Sequence, residues 1–118
     1  MPLTINAKTY NPDSYQKDAV VYTGALKTVS VKDDVRMARV APKPVSGFSG
    51  VGRTSAKLTR TLPLTNAQSL AADGIVDVQV SVPVGFASAD IDAMLNDMGA
   101  FVASASFKAH VKAQQVAF

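Results

Sequence analysis

The chain reads as an α+β fold, an antiparallel sheet of five to six strands followed by two C-terminal helices. Three observations predict it. In "DGIVDVQVSVP" (73–83), Val76, Val78, Val80 and Val82 alternate with Asp77, Gln79 and Ser81, so one face is valine and the other polar. After Gly85 the period changes, and Ile91, Met94, Leu95, Met98, Phe101, Val102 and Ala105 recur at helical spacing. Every strand-like segment precedes every helix-like one. The 118 residues suit a single domain, 1–118, with strands over about 3–83 and helices over about 88–118.

The elements follow in order. "LTINAKTY" (3–10) alternates as a strand, and "NPDS" (11–14) carries turn chemistry. "AVVYT" (19–23) is β-branched and aromatic, which suits a strand that Gly24 ends. "LKTVSVK" (26–32) alternates imperfectly as a third strand, and Asp33-Asp34 suggests a tight turn. "VRMARVA" (35–41) places Val35 and Met37 on one side, Arg36 and Ala38 on the other. "PKPVSGFSGVG" (42–52) is a loop. "RTSAKLTRTLPL" (53–64) is a long strand with Arg53, Ser55, Lys57, Thr59 and Thr61 on one face. Its other face holds Ala56, Leu58 and Leu62, with Arg60 the exception. A charged residue there fits a sheet end, where its stem packs and its guanidinium reaches solvent or a carboxylate. "TNAQSLAAD" (65–73) is a polar loop, and Pro83 closes the next strand. A helix is expected over 88–105, capped by Ser88, with Asp90 and Asp92 in its first turn, and a second over 107–118.

Composition narrows the function. The chain is 47% hydrophobic and 18% charged, which predicts a folded protein. A net charge of +3 permits an anionic partner without requiring one. With no cysteine, disulfides and thiolate chemistry are excluded. No apolar run approaches the roughly 18 residues of a membrane span, and "MPLTINAKTY" lacks the pattern of a secretory signal. His110 is the single histidine and has no cluster of ligand types near it, so it reads as a packing or surface residue. "GFSGVGRTS" (47–55) is glycine-rich but lacks the Gly-Lys-Ser/Thr ending of a phosphate loop. No catalytic constellation, cofactor site or metal site is expected, nor a small-molecule substrate.

The apolar face poses a coverage problem. Five or six strands about 4.8 Å apart span roughly 20–25 Å, and one helix is about 10 Å across. One helix and a shorter second cannot cover that width. An obligate dimer, each chain's helices crossing the partner's sheet, is the simplest cover. The polar face carries Arg36, Lys57, Thr59, Thr61, Asp77, Gln79 and Ser81. Contact with water alone accounts for such a face. An RNA platform is the sharper reading, with cations on phosphates and hydroxyls and amides on bases, although the face lacks aromatic stacking groups.

The order of these segments resembles the coat proteins of the single-stranded RNA bacteriophages, the leviviruses. The resemblance is strongest over residues 53–104, where "RTSAKLTRTLPL", a polar loop, "GIVDVQVSVPVGFAS" and "ADIDAMLNDMGAFVAS" follow one another. "VRMARVAPKP" (35–44) adds a strand running into a proline-containing loop. It implies a capsid protein of the virion, assembled in the bacterial cytoplasm. Interlocked homodimers sharing a continuous sheet would build an icosahedral shell around a single-stranded RNA genome, with the polar face inward. In the family a dimer also binds an RNA hairpin there and represses translation. By resemblance the RNA-binding positions fall on Arg36, Lys57, Thr59, Thr61, Asp77 and Gln79, with Ala38 and Ile75 beside them. Ile75 stands where the family has an aromatic stacking residue, and Asp77 where a neutral amide often lies. Both changes argue for packaging through charge over a specific hairpin. The small polar loop matches the one that gathers at the shell's symmetry axes. The alternative is a small dimeric, sheet-based regulator that binds nucleic acid.

Overall fold

The computed structural model describes residues 2–47, 50–65, 71–114 and 116. The chain divides into two compact units, Met1–Val84 and Gly85–Phe118. The first is a six-stranded antiparallel sheet in the order β1-β2-β3-β4-β5-β6. Its strands are β1 (Leu3–Ile5), β2 (Lys8–Gln16), β3 (Ala19–Thr23), β4 (Asp33–Val40), β5 (Val51–Pro63) and β6 (Ala71–Pro83). The second holds two helices, α1 (Ser88–Val102) and α2 (Ala105–Ala113).

Several expected boundaries are corrected. Residues 3–10 are not one strand but a hairpin, with Ile5 opposite Lys8 and a two-residue turn at Asn6 (φ 49°) and Ala7 (φ 64°). Two successive positive φ values give the turn twist that suits a two-residue hairpin. Asn6 tolerates that region, whereas alanine hides it from a sequence reading. "NPDS" lies inside β2, where the register shifts between Pro12 and Ser14. The turn-forming residues there serve a bulge. Residues 26–32 form no strand. They are a loop closed by Gly24 N–H to Asp33 C=O (2.8 Å) and Thr28 N–H to Val31 C=O (2.9 Å). Asp33 and Asp34 begin β4 and make no turn. β5 begins at Val51 and β6 at Ala71, inside the segments expected as loops. Positions 66–70 of the predicted polar loop lie outside the described residues.

β5 and β6 pair over their whole length, from Val51 opposite Pro83 to Pro63 opposite Ala71. Directly opposed residues share a face in an antiparallel pair. Leu58 and Val76 are opposed, and so are Ala56 and Val78. Val35 and Met37 of β4 continue the same two rows, and Tyr22 and Val20 of β3 extend them. This is the valine face. Among the described residues, the apolar side chains that are buried are Tyr10, Ala19 and Val35. Met37, Leu62, Val76 and Val78 stay 41–54% exposed.

Arg60 finds its partners on this face. Its Nε–H donates to Asp33 Oδ1 (3.2 Å) and its Nη2–H to the Tyr10 hydroxyl (2.7 Å). The Tyr10 O–H donates to the same Asp33 oxygen (3.0 Å). Tyr10 and Asp33 are buried, while the Arg60 side chain keeps 32% exposure. The Tyr10 bond is the main cause that raises the Arg60 pKa; desolvation opposes it, and Asp33 adds to the rise. Gly24 packs against this cluster so closely that a Cβ would collide with Asp33 Oδ2 and Tyr10 Cε2. The expected carboxylate partner is therefore present, and a buried tyrosine completes it.

In the second unit, α1 has no side-chain cap. Its N-cap is Ala87, not Ser88, and Asp90 alone lies in the first turn. α2 is capped by Ser104, whose Oγ accepts from Phe107 N–H (3.3 Å) and donates to Phe101 C=O (2.6 Å). It ends at Gln114, whose φ of 51° is left-handed, short of the expected 118. Residues 115, 117 and 118 lie outside the described residues. Phe101 and Phe107 join the helices edge to face at 5.3 Å, and His110 lies 5.9 Å from the Phe107 ring. Neither helix has a buried residue; Met94, Leu95, Met98 and Phe101 are 48–56% exposed.

Candidate nucleic-acid interface

The opposite face of the sheet gathers all six residues expected to meet RNA. Arg36, Lys57 and Asp77 are opposed in one row across β4, β5 and β6. Asp34, Thr59 and Ile75 form the next row, and Thr61 is opposed to Asp73 beyond it. Gln79 lies opposite Ser55, on the other side of the Lys57 row. Arg53 and Ser81 extend the face further. Arg53 was not among the expected site residues, although its parity with Lys57 was the signal that could have found it.

The charges along this face are unevenly satisfied. At one end, Lys32 Nζ pairs with Asp73 (3.1 Å) and Lys27 with Asp34 (3.3 Å). Among the described residues, Arg36, Lys57 and Arg53 make no ion pair. Arg36 and Lys57 are directly opposed, which places like charges about 5 Å apart at their Cβ atoms and is destabilising without an anion. Asp77, on the other flank of Lys57, accepts instead from Gln79 Nε2–H (3.4 Å). This leaves Arg36 and Lys57 as adjacent cations without an ion-pair partner among the described residues.

Thr61 differs from the rest. Its hydroxyl donates to Asp73 Oδ1 (2.6 Å) and accepts the Lys32 N–H (3.1 Å), so it clips the 24–32 loop to β5 and β6. The Thr61 hydroxyl, and then the Lys32 ammonium, hold the Asp73 carboxyl below its ordinary value. A depressed carboxylate contributes stability above its unfolded pKa and loses it as pH falls through the folded one. Asp73→Asn is therefore expected to flatten the decline of stability below pH 3.8, read as urea midpoint against pH. Identical acid profiles for the two proteins would uncouple this clip from folding.

No group of His, Asp or Glu side chains among the described residues is arranged to hold a metal ion. No protein-family model and no curated protein matches the chain. Solved structures do. The chain superposes on the virus-like particle of Wenzhou levi-like virus 4 with a TM-score of 0.75 and 21% identity, over 86% of this chain and 71% of that one. It superposes on that of bacteriophage AVE019 with a TM-score of 0.77 and 12% identity, over 100% and 96%. For that of bacteriophage GQ-907 the values are 0.78 and 11%, over 98% and 88%. What is shared at these identities is the fold, a six-stranded antiparallel sheet followed by two helices. The chain thus has the coat fold of the RNA phages. The expected likeness to levivirus coat proteins holds at the level of the fold.

Proposed function

We propose that this chain is a structural capsid subunit. Two copies pair, the α1–α2 unit of each covering the valine face of the other, and all 118 residues act as one coat domain. The pairs build an icosahedral shell around single-stranded RNA in the host cytoplasm, and the virion is where the protein resides. The observation that carries this reading is the two-sided sheet. Its valine face is left half exposed in the single chain, and its polar face carries unpaired cations. A shell subunit needs both surfaces, one for another copy and one for an anionic polymer. The fold shared with chains of virus-like particles supports the same reading.

RNA is held through Arg36 and Lys57, because phosphate contacts need charge and no base readout. Ile75 offers no stacking surface and Asp77 repels phosphate, so packaging by charge is favoured over a hairpin operator and translational repression. No catalytic role is proposed.

Size-exclusion chromatography with absorbance at 260 and 280 nm, followed by electron microscopy, tests this. Round particles in the void volume with a high 260/280 ratio are expected. A sharp nucleic-acid-free peak at twice 12.3 kDa would favour the dimeric regulator instead. The double substitution Arg36→Ala with Lys57→Ala should lower packaged RNA while dimers still form. Two lost phosphate contacts should reduce the slope of log affinity against log salt by about 1.4. Unchanged RNA content in the double variant would refute the assignment.

A further inference from the structure

We propose that Arg60 is a specificity-determining residue for the pairing of two copies: the outer edge of its guanidinium takes a carboxylate from the edge of α1 that bears Asp90 and Asp97 in the second copy. This rests on the reading that the helices of one copy cover the valine face of another, and it names the contact that orients them.

Arg60 stands inside the apolar face. Along β5 it lies two residues, or about 7 Å, from Leu58 and from Leu62, whose rows continue to Val76 and Ala72 on β6. A leucine or methionine at position 60 would extend those rows. The fold instead holds a cation there, seated on the buried Tyr10 and Asp33. Replacing a whole buried ion pair by packed apolar groups often leaves a fold as stable or more so, so stability alone does not call for this cluster. What the cluster does is fix a guanidinium at the surface. Asp33 is 4% exposed and the Arg60 side chain 32%, so the part that faces outward is the cation. Nε–H goes to Asp33 and one Nη2–H to Tyr10, which leaves three of the five N–H donors for a further acceptor. Gly74 is opposed to Arg60 on β6 and puts no side chain beside it.

The helix α1 supplies the matching charge. It carries Asp90, Asp92 and Asp97 and neither lysine nor arginine. All three are exposed and none forms an ion pair among the described residues. Asp90 and Asp97 are two turns apart, about 10 Å, so they share one edge of the helix. Met94 and Phe101, four residues after each, lie beside them on the exposed apolar stripe. Asp92 flanks the stripe on its other side. A helix laid stripe-down on the valine face brings the Asp90 and Asp97 edge to the border of the contact, where a cation set among apolar rows can meet it. An arginine fork gives a carboxylate two parallel N–H bonds and fixes its orientation. The helix α2 holds Lys108 and Lys112 and no acidic residue. Arg60 therefore attracts α1 and repels α2, which sets the helix that lies over this part of β5.

Dimer dissociation of the full chain would be followed by sedimentation over a salt series, at concentrations too low for particles. Asp90→Asn with Asp97→Asn should weaken pairing about thirtyfold, the low end for truncating one partner of a desolvated charge pair, and should lower its salt dependence. Asp92→Asn changes the net charge in the same direction and should shift the affinity by no more than about twofold. Arg60→Lys keeps a charge for Asp33 but loses the fork, and should weaken pairing about tenfold. Added to the Asp90→Asn, Asp97→Asn background, it should have little further effect. An arginine that only supported the fold would weaken pairing equally in both backgrounds, and that result would overturn the proposal. Unchanged affinity in the Asp90→Asn, Asp97→Asn variant, or an equal loss in Asp92→Asn, would also overturn it while leaving the pairing reading standing. Wild-type chains that stay single at every concentration would overturn the pairing reading together with this contact.

Discussion

Val78→Lys is expected to leave the protein as single chains that form neither dimers nor particles. Val78 lies at the middle of β6, opposite Ala56, in the row that continues to Met37 and Val20. In the single chain it is 41% exposed, so a lysine there is tolerated by the isolated fold. In the proposed pair it would have to sit beneath the partner's helices. Leaving an unpaired ammonium at a dry interface costs several kcal/mol, and every 1.4 kcal/mol is tenfold in association. Dimer affinity should fall by about a thousandfold or more, measured by sedimentation over a concentration series. Ser55→Lys, on the polar face, should dimerise as the wild type does. Normal dimers from Val78→Lys would show that the valine face is not the pairing surface.

Arg60→Met should lower the unfolding free energy by about 2–3 kcal/mol. Breaking a fully buried ion pair costs about 3–5 kcal/mol. The exposure of the Arg60 side chain reduces that figure through solvent screening. The loss arises mainly at Asp33, which is 4% exposed and would keep only the Tyr10 hydroxyl as a partner. Combining Arg60→Met with Asp33→Asn should cost clearly less than the sum of the two, since the groups act as a unit. Urea unfolding at one fixed protein concentration reads this out, because the stability of an associating protein depends on concentration. Strict additivity of the two substitutions would mean that the cluster is not coupled.

The alternation in β5 and β6 was legible because pleating alone sets it. Lys57 and Asp77 face one way and Leu58 and Val76 the other whatever the rest of the chain does. The register that brings Arg36 beside Lys57 followed once β4 joined them. Other features depended on partners far along the chain. Arg60 looked misplaced until Tyr10, 50 residues earlier, and Asp33, 27 residues earlier, closed around it. Thr61 looked like any other polar-face threonine, yet its hydroxyl is taken by Asp73 and Lys32. The turn at Asn6 and Ala7 escaped notice because alanine carries no signal for a positive φ. The false strand at 26–32 has the opposite origin. Its short alternation joins no ladder among the described strands, and Val29 is fully exposed.

The strand order carries a consequence for how the molecule is made. Every strand in the sheet lies beside its neighbour in sequence, with no crossover. Each hairpin can close as soon as its second strand leaves the ribosome, at the low loop-closure cost of nearby segments. The sheet can be complete once Pro83 has emerged, while the helical residues 88–113 are still inside the ribosome. For that interval the valine face stands exposed on an unfinished chain, and exposed apolar sheet is prone to aggregate. A meander that finishes before the helices emerge therefore exposes its valine face for a time set by translation.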